Sequence, residues 1–217
     1  MRRTTRTSAR TRRSPGTLTM RPLDPSPSSQ LRSSRGDPIS DAELAHAWVT
    51  HPKSAHWLML GARLVDIERE YMAIAASEHH HAFVGLHDGE PAFLMERYDP
   101  RYIELVGLYE PEPGDVGMNF LVAPTDQPVH GFSQAVLTTV MEHLFADPRT
   151  HRVVVEPDVI DLAVHRLHEE VGFVPAYEID KPEKRALLSF CTREQFEAAM
   201  VRRAVAARQT TLTNPLA

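Results

Sequence analysis

GDVGMNFLVAPTDQPVHGFSQAVLTTVMEHLFADPRTHRVVVEPDVIDLAVHRLHEEVGF is the stretch from Gly114 to Phe173, and its apolar spacing changes character along its length. Asp115–Val122 is an apolar run of strand length. A polar loop ending in His130-Gly131 follows, and Gly131–Phe145 then carries apolar residues at the three- and four-residue spacing of an amphipathic helix. Arg152–Val155 is a second apolar run, closed by Glu156-Pro157-Asp158, and a further helix ends at Val171-Gly172-Phe173. The order strand, helix, strand, helix builds a sheet with helices packed on it.

Working upstream, Ser40-Asp41-Ala42-Glu43 offers an N-cap and a first-turn carboxylate, followed by Leu44, Ala47 and Trp48 at helical spacing until His51-Pro52. A longer covering helix is expected from Trp57 to Ala76, with Leu58, Leu60, Leu64, Ile67, Tyr71 and Ile74 on one face. Ala82–His87 and Ala92–Tyr98 read as strands joined at Asp88-Gly89, a dipeptide suited to the positive φ of tight hairpins. Tyr102–Tyr109 reads equally as a short helix or a loop. Downstream, Ala176–Asp180 and Ala186–Cys191 are two more strands around a Lys-Pro-Glu-Lys turn, and a last helix starts at Thr192 and runs toward Arg208. The expectation is an α/β (α+β) domain over residues 37–208, a mixed central sheet flanked by helices, with a frayed tail over 209–217.

Composition bounds what such a domain does. The chain has 217 residues, 42% of them hydrophobic, which suits one domain with tails. Its formal net charge of −5 is uneven, because residues 1–36 hold nine Arg against Asp24 alone, so +8 there leaves −13 for the rest. That arm, rich in Arg, Ser, Thr and Pro, lacks the apolar surface that offsets ordering entropy. It is expected to be disordered, a solvated tail or an extension upstream of Met20. An acidic body argues against nucleic acid as a partner. Cys191 is the single cysteine, which removes a disulfide framework and a thiolate metal cluster. No run approaches the ~20 apolar residues of a membrane span, and no apolar region follows the N-terminal arginines as in a secretory signal. A cytoplasmic protein, monomer or weak dimer, acting on small molecules is the expectation.

The chemistry of the central unit follows from its turns. A helix that starts at Gly131 with no acid in its first turn presents unpaired N–H groups and a positive dipole end, a seat for a pyrophosphate. His130 stands at that entrance, either as a solvated loop residue or as a ligand contact. Asp158 sits past the carboxyl end of its strand and ahead of a helix, so it reads as an N-cap or as a proton acceptor at a crevice. His79-His80-His81 does not make a metal site, because neighbouring side chains on a strand face opposite ways. Ser133, Ser189 and Cys191 lack the turn of a nucleophile elbow.

Several segments taken together resemble the GNAT acyltransferases of hydroxamate siderophore biosynthesis, the family of the mycobactin lysine N-acyltransferase and of acetyltransferases acting on N-hydroxylysine or N-hydroxydiamines. They are Trp48-Val49-Thr50-His51-Pro52 with Trp57 downstream, Pro91–Asp99, Gly114–Asn119, His130-Gly131-Phe132, Val155-Glu156-Pro157-Asp158, Val171-Gly172-Phe173 and Leu187–Phe190. The resemblance covers roughly Asp37 to Phe196.

It implies a GNAT fold with a splayed central strand, beside which an acyl-CoA or acyl-carrier-protein thioester would lie as co-substrate, with no permanently bound cofactor. Val122, His130, Gly131 and Phe132 would then contact the acyl donor, Asp158 would be the proton acceptor, and Asn119, Trp57, Glu96 and Tyr98 would bind a small amine or hydroxylamine acceptor. For Trp57, Glu96 and Tyr98, packing in sheet and core is the competing reading. One position departs from the family: Asn119 stands where a histidine is usual, and an amide cannot take a proton at neutral pH. Asp158 would then act alone while Asn119 orients the acceptor, or the chain would be a non-catalytic GNAT-like binding module.

Overall fold

In the computed structural model, which describes residues 16–26, 31–32 and 38–213, the sheet begins earlier than composition suggests. Leu18–Pro22 is a strand, β1, with Leu18 and Met20 packed against the main core. This corrects the expectation of disorder at these residues, because a two-residue alternation is lost when an Arg-rich segment is averaged. Residues 1–15, 27–30 and 33–36 of the expected arm lie outside the described residues. Leu31–Arg32 and Pro38–Ile39 pair as the short strands β2 and β3.

Helix α1 (Asp41–Val49) is closed by a reciprocal cap in which Glu43 N–H reaches the Ser40 hydroxyl and the Glu43 carboxylate takes the Ser40 N–H. Asp41 is wholly buried and held by the Arg21 guanidinium at 2.6 and 2.7 Å. A 3-10 helix over Pro52–Trp57 follows, and α2 spans Leu64–Ala75. The expected Trp57–Ala76 helix thus loses its first part: Leu58 takes a left-handed φ of 62° that ends the preceding turn, and Leu58 and Leu60 are exposed. Ile67, Tyr71 and Ile74 face the core as their spacing implies.

Strands β4 (His80–His87) and β5 (Glu90–Tyr98) turn at Asp88-Gly89, both with positive φ. Residues 101–109 are a succession of turns. Then come β6 (Asp115–Val122), α3 (Phe132–Ala146), β7 (Arg152–Val155), α4 (Leu162–Glu170), β8 (Val174–Asp180), β9 (Arg185–Thr192) and α5 (Arg193–Thr213). The last helix runs through 209–213, where fraying was expected; residues 214–217 lie outside the described residues.

The sheet order is β1-β4-β5-β6-β7-β9-β8. Its β6–β7 pair is parallel and the others are antiparallel. Helices α1 and α2 cover one face, α1 through Leu44 and Val49 and α2 through Ile67, Tyr71 and Ile74, in one core cluster with Val84 and Leu94. On the other face α3 buries Leu137, Val140, Met141 and Leu144 against Phe93, Met95, Met118 and Val153. Each such leucine contributes about 2–5 kcal/mol relative to alanine.

The register of β6 positions the site. Asp115, Val116 and Gly117 pair with Arg152, Val153 and Val154, and there the ladder to β7 stops. On its other side β6 stays paired with β5 out to Val122 opposite Phe93. The shared start is fastened by the Arg152 guanidinium on the Asp115 carboxylate at 2.7 and 2.8 Å. Gly117 is required at the fork, since a Cβ there would lie 2.0 Å from the Tyr98 ring. From that point β6 and β7 diverge.

Candidate active site

The wedge between the diverging strands is a cavity of about 410 Å³. Main-chain geometry supplies its first wall. Past Gly117, β6 has a strand on one edge alone, so alternate residues of Met118–Val122 turn N–H and C=O groups to the cavity with no ladder to satisfy them. Val122 and Asn119 line it.

The start of α3 opens onto the same cavity. Gly131 is its N-cap, with φ of 78° and no side-chain cap bond, and its first turn holds no acid, which leaves the positive helix end uncompensated. Ser133, in that turn, lines the cavity. His130 and Gly131 are exposed beside it. Phe132 packs edge-on against His87 with ring centroids 5.2 Å apart and joins the core.

Asp158 lines the opposite bank. It is not the N-cap of α4: Asp161 is, accepting from Val164 N–H at 3.1 Å. Asp158 uses Oδ1 to accept from Ile160 N–H at 3.1 Å, and among the described residues its Oδ2 takes no hydrogen bond. Two backbone links fix the loop, a bridge to Ala186 and His165 Nε2 at 2.9 Å from the Asp158 carbonyl oxygen. Asp158 thus lines the cavity from a rigid mount with one carboxylate oxygen left unbonded.

Trp57 lines the cavity from the 3-10 segment, half-buried against the α1–α2 core. That segment is tied to both banks, by Lys53 Nζ to Thr125 O at 2.6 Å and Asp126 at 2.7 Å, and by His56 Nε2 at 3.7 Å from Asp161. Glu96 and Tyr98 lie away from it. Glu96 is opposite Asn119 in register, yet its carboxylate is buried under α2, taking Tyr71 Oη at 3.0 Å and facing His80 Nε2 at 3.2 Å. Tyr98 is fully buried with its hydroxyl unpartnered; burial first, then Glu156, raises its pKa.

The wall includes groups that sequence reasoning passed over. His168, one helical turn after Val164 on the α4 face that meets the cavity, is buried with Nδ1 unpartnered. Burial, with His165 nearby, lowers its pKa to about 3, so it is a neutral imidazole. Ser54 Oγ is likewise buried and unbonded in the wall. The cavity wall thus contains two residues with a buried, unpartnered polar atom, an uncommon state for such groups. The spacing Val164, Leu167, His168 carries the signal for His168; nothing local marks Ser54. Lys184, seen in the sequence as part of a turn, also lines the cavity. Beside it Glu156, buried, holds Lys181 Nζ at 2.9 Å. Burial works against the Lys181 charge, but Glu156 and Glu104 keep its pKa above the ordinary range.

His79 stacks on Tyr102 with centroids 4.0 Å apart while His80 turns to Glu96, and among the described residues no group of three or more His, Cys, Asp or Glu is placed to hold a metal. Cys191 is buried, which raises its thiol pKa to about 12. Among the described residues no helix is long and apolar enough to cross a membrane.

Residues 37–181 match the family described as acetyltransferase (GNAT) domain. The N(6)-hydroxylysine O-acetyltransferase of Escherichia coli is 29% identical over 165 residues, covering 74% of this chain and 51% of that protein; the chain thus spans about half the length of that relative. The lysine N-acyltransferase MbtK of Mycobacterium sp. (strain MCS) is 24% identical over 163 residues, 75% of this chain and 67% of that one. The crystal structure of aminoglycoside acetyltransferase AAC(6')-Ib with coenzyme A superposes with a TM-score of 0.69 at 21% identity, over 84% of this chain and 98% of that one.

Proposed function

Because the chain belongs to the GNAT acetyltransferase family, we propose that it moves an acyl group from a CoA or carrier-protein thioester to the ε-amino or N-hydroxyamino nitrogen of lysine or a related diamine, a step of siderophore assembly. The observation that carries this reading is the fork of β6 and β7, with an open oxygen of Asp158 on one bank and the uncapped start of α3 behind the other. Relatives acting on N6-hydroxylysine and on lysine support the acceptor class.

The donor's pantetheine would lie along the free edge of β6 as an added strand would, its amides meeting Met118–Val122 main-chain groups. A CoA pyrophosphate would sit at the N-terminus of α3. The acceptor nitrogen attacks the thioester carbonyl, and the new C–N bond forms as negative charge gathers on the carbonyl oxygen. N–H groups near Val122, fixed by pairing with β5, stabilise that oxyanion without reorganising. The nitrogen's proton passes to Asp158 Oδ2, the C–S bond breaks and the thiolate leaves. Asn119 orients the acceptor by hydrogen bonds alone. A hydroxylamine nitrogen, largely unprotonated at neutral pH, asks less of the base than a lysine ammonium does.

The test is a panel in which purified protein with acetyl-CoA or a long-chain acyl-CoA meets lysine, N6-hydroxylysine, N-hydroxycadaverine, kanamycin and spermidine, with thiol release and product mass as readouts. Acylation of a lysine-type acceptor is expected. Transfer to kanamycin or spermidine alone would overturn the acceptor class. CoA binding with no transfer would favour the second reading, a non-catalytic binding module, for which Asn119 in place of a histidine is the supporting observation.

A further inference from the structure

The lining of the cavity contains an ammonium group that is only loosely held. Lys184 lines the cavity with 17% of its side chain exposed, and its nearest acid oxygen, Glu156 Oε1, is 3.8 Å from Nζ, beyond hydrogen-bond reach. That oxygen is already engaged by Lys181 Nζ at 2.9 Å. Lys181 in turn gathers Glu104 at 2.9 Å and Glu183 at 3.2 Å. Among the described residues Lys184 Nζ donates no hydrogen bond. The other lysine on the lining, Lys53, is committed to Thr125 and Asp126.

Lys184 is also held in place. Its carbonyl accepts from Lys181 N–H at 2.9 Å, and the next residue's carbonyl accepts from Val159 N–H at 3.0 Å, which ties the β8–β9 turn to the loop bearing Asp158. An ammonium has three donors, and keeping it largely out of water with none of them used is costly unless a ligand completes it. Across the same cavity Asp158 offers an open carboxylate oxygen. A carboxylate and a loosely paired ammonium on the lining of a single cavity, each with hydrogen-bonding capacity unused among the described residues, match an acceptor that carries an amine at one end and a carboxylate at the other.

We propose that Lys184 binds the carboxylate of the acceptor, so that the substrate class is an α-amino acid with a side-chain amine or hydroxylamine rather than its decarboxylated diamine. This rests on the acyl-transfer reading of the cavity. A carboxylate on the acyl group of the donor is the other source of the same chemistry, and the donor arm of the test separates the two.

The measurement is kcat/KM of the full chain with acetyl-CoA for lysine against cadaverine and N6-hydroxylysine against N-hydroxycadaverine, in wild type, Lys184→Gln and Lys184→Arg. The wild type is expected to favour the amino acid of each pair. Lys184→Gln should lower the amino-acid-to-diamine ratio about tenfold to a hundredfold through KM, the range of a hydrogen bond to a charged group. Lys184→Arg should keep most of the preference, and thermal melts check that both variants are folded. A wild type indifferent to the carboxylate, or a Gln variant that weakens both members of a pair alike, overturns the proposal. So does a Gln variant that raises KM for succinyl-CoA and leaves lysine untouched. A wild type that acylates none of the four acceptors with acetyl-CoA, a long-chain acyl-CoA or an acyl carrier protein refutes the acyl-transfer reading, and this inference falls with it.

Discussion

Asp158→Asn is the perturbation that separates a reacting carboxylate from a structural one. Asparagine keeps the size of the side chain and the oxygen that accepts Ile160 N–H at 3.1 Å, and Asp161, not Asp158, caps α4. The change should therefore cost well under the ~1 kcal/mol of a lost cap, and thermal melting should barely move. What it removes is the basic, unbonded Oδ2 of a residue on the cavity lining. A positioned general base is worth about 10²–10⁴ in rate, or about 2.7–5.4 kcal/mol. Lysine, which must lose a proton before it attacks, should show the upper part of that range. N6-hydroxylysine should show the lower part. The assay is thiol release from acetyl-CoA under saturating acceptor between pH 6 and 9, with kcat and KM separated. A folded variant whose kcat stays within about twofold of wild type for both acceptors would refute the assignment and leave deprotonation to solvent.

Other parts of the structure make equally direct commitments. His168, neutral with a pKa near 3 in the folded protein against ~6.5 unfolded, takes up its proton first in the unfolded chain. Its contribution is intact above about pH 6.5 and is lost as pH falls toward 3, several kcal/mol on an order-of-magnitude scale. His168→Leu should flatten that acid limb in urea titrations repeated across pH. Gly117→Ala places a Cβ 2.0 Å from the buried Tyr98 ring and should destabilise by at least ~1–3 kcal/mol. Adding Tyr98→Leu should recover part of the loss, a coupling that denaturation of the single and double variants would show. A chain begun at Asp37 lacks β1 and leaves Asp41, wholly buried, without the Arg21 guanidinium. It should be about 3–5 kcal/mol less stable than one begun at Pro15, and equal urea midpoints would restore the idea of a dispensable arm.

Which features were legible in the sequence has a physical pattern. Asp115–Val122 and Arg152–Val155 were read to the residue because each is an apolar run bounded by turn chemistry, and Asp88-Gly89 because its turn needs positive φ at both positions. Leu58 was misread because a left-handed leucine has no local signature; the helical spacing simply continues through it. Glu96 and Asn119 show the limit of alternation: they share a register position and a face, but α2 covers one and the cavity opens beside the other.

The two halves of the cavity differ in the same way. Its donor half is made of main chain, a strand edge freed by a fork and a helix start, and main-chain geometry follows from patterns of two and 3.6 that a sequence displays. Its other half is made of side chains on irregular segments, Lys53–Leu58, the Asp158 loop and Lys184 of the β8–β9 turn, the last two tied together by Val159 N–H to the Arg185 carbonyl. Acyl transfer as a reaction class follows from the first half. In the proposed reading the choice of acceptor is made by the second, where a lysine that donates no hydrogen bond among the described residues says more about the substrate than any motif in the chain.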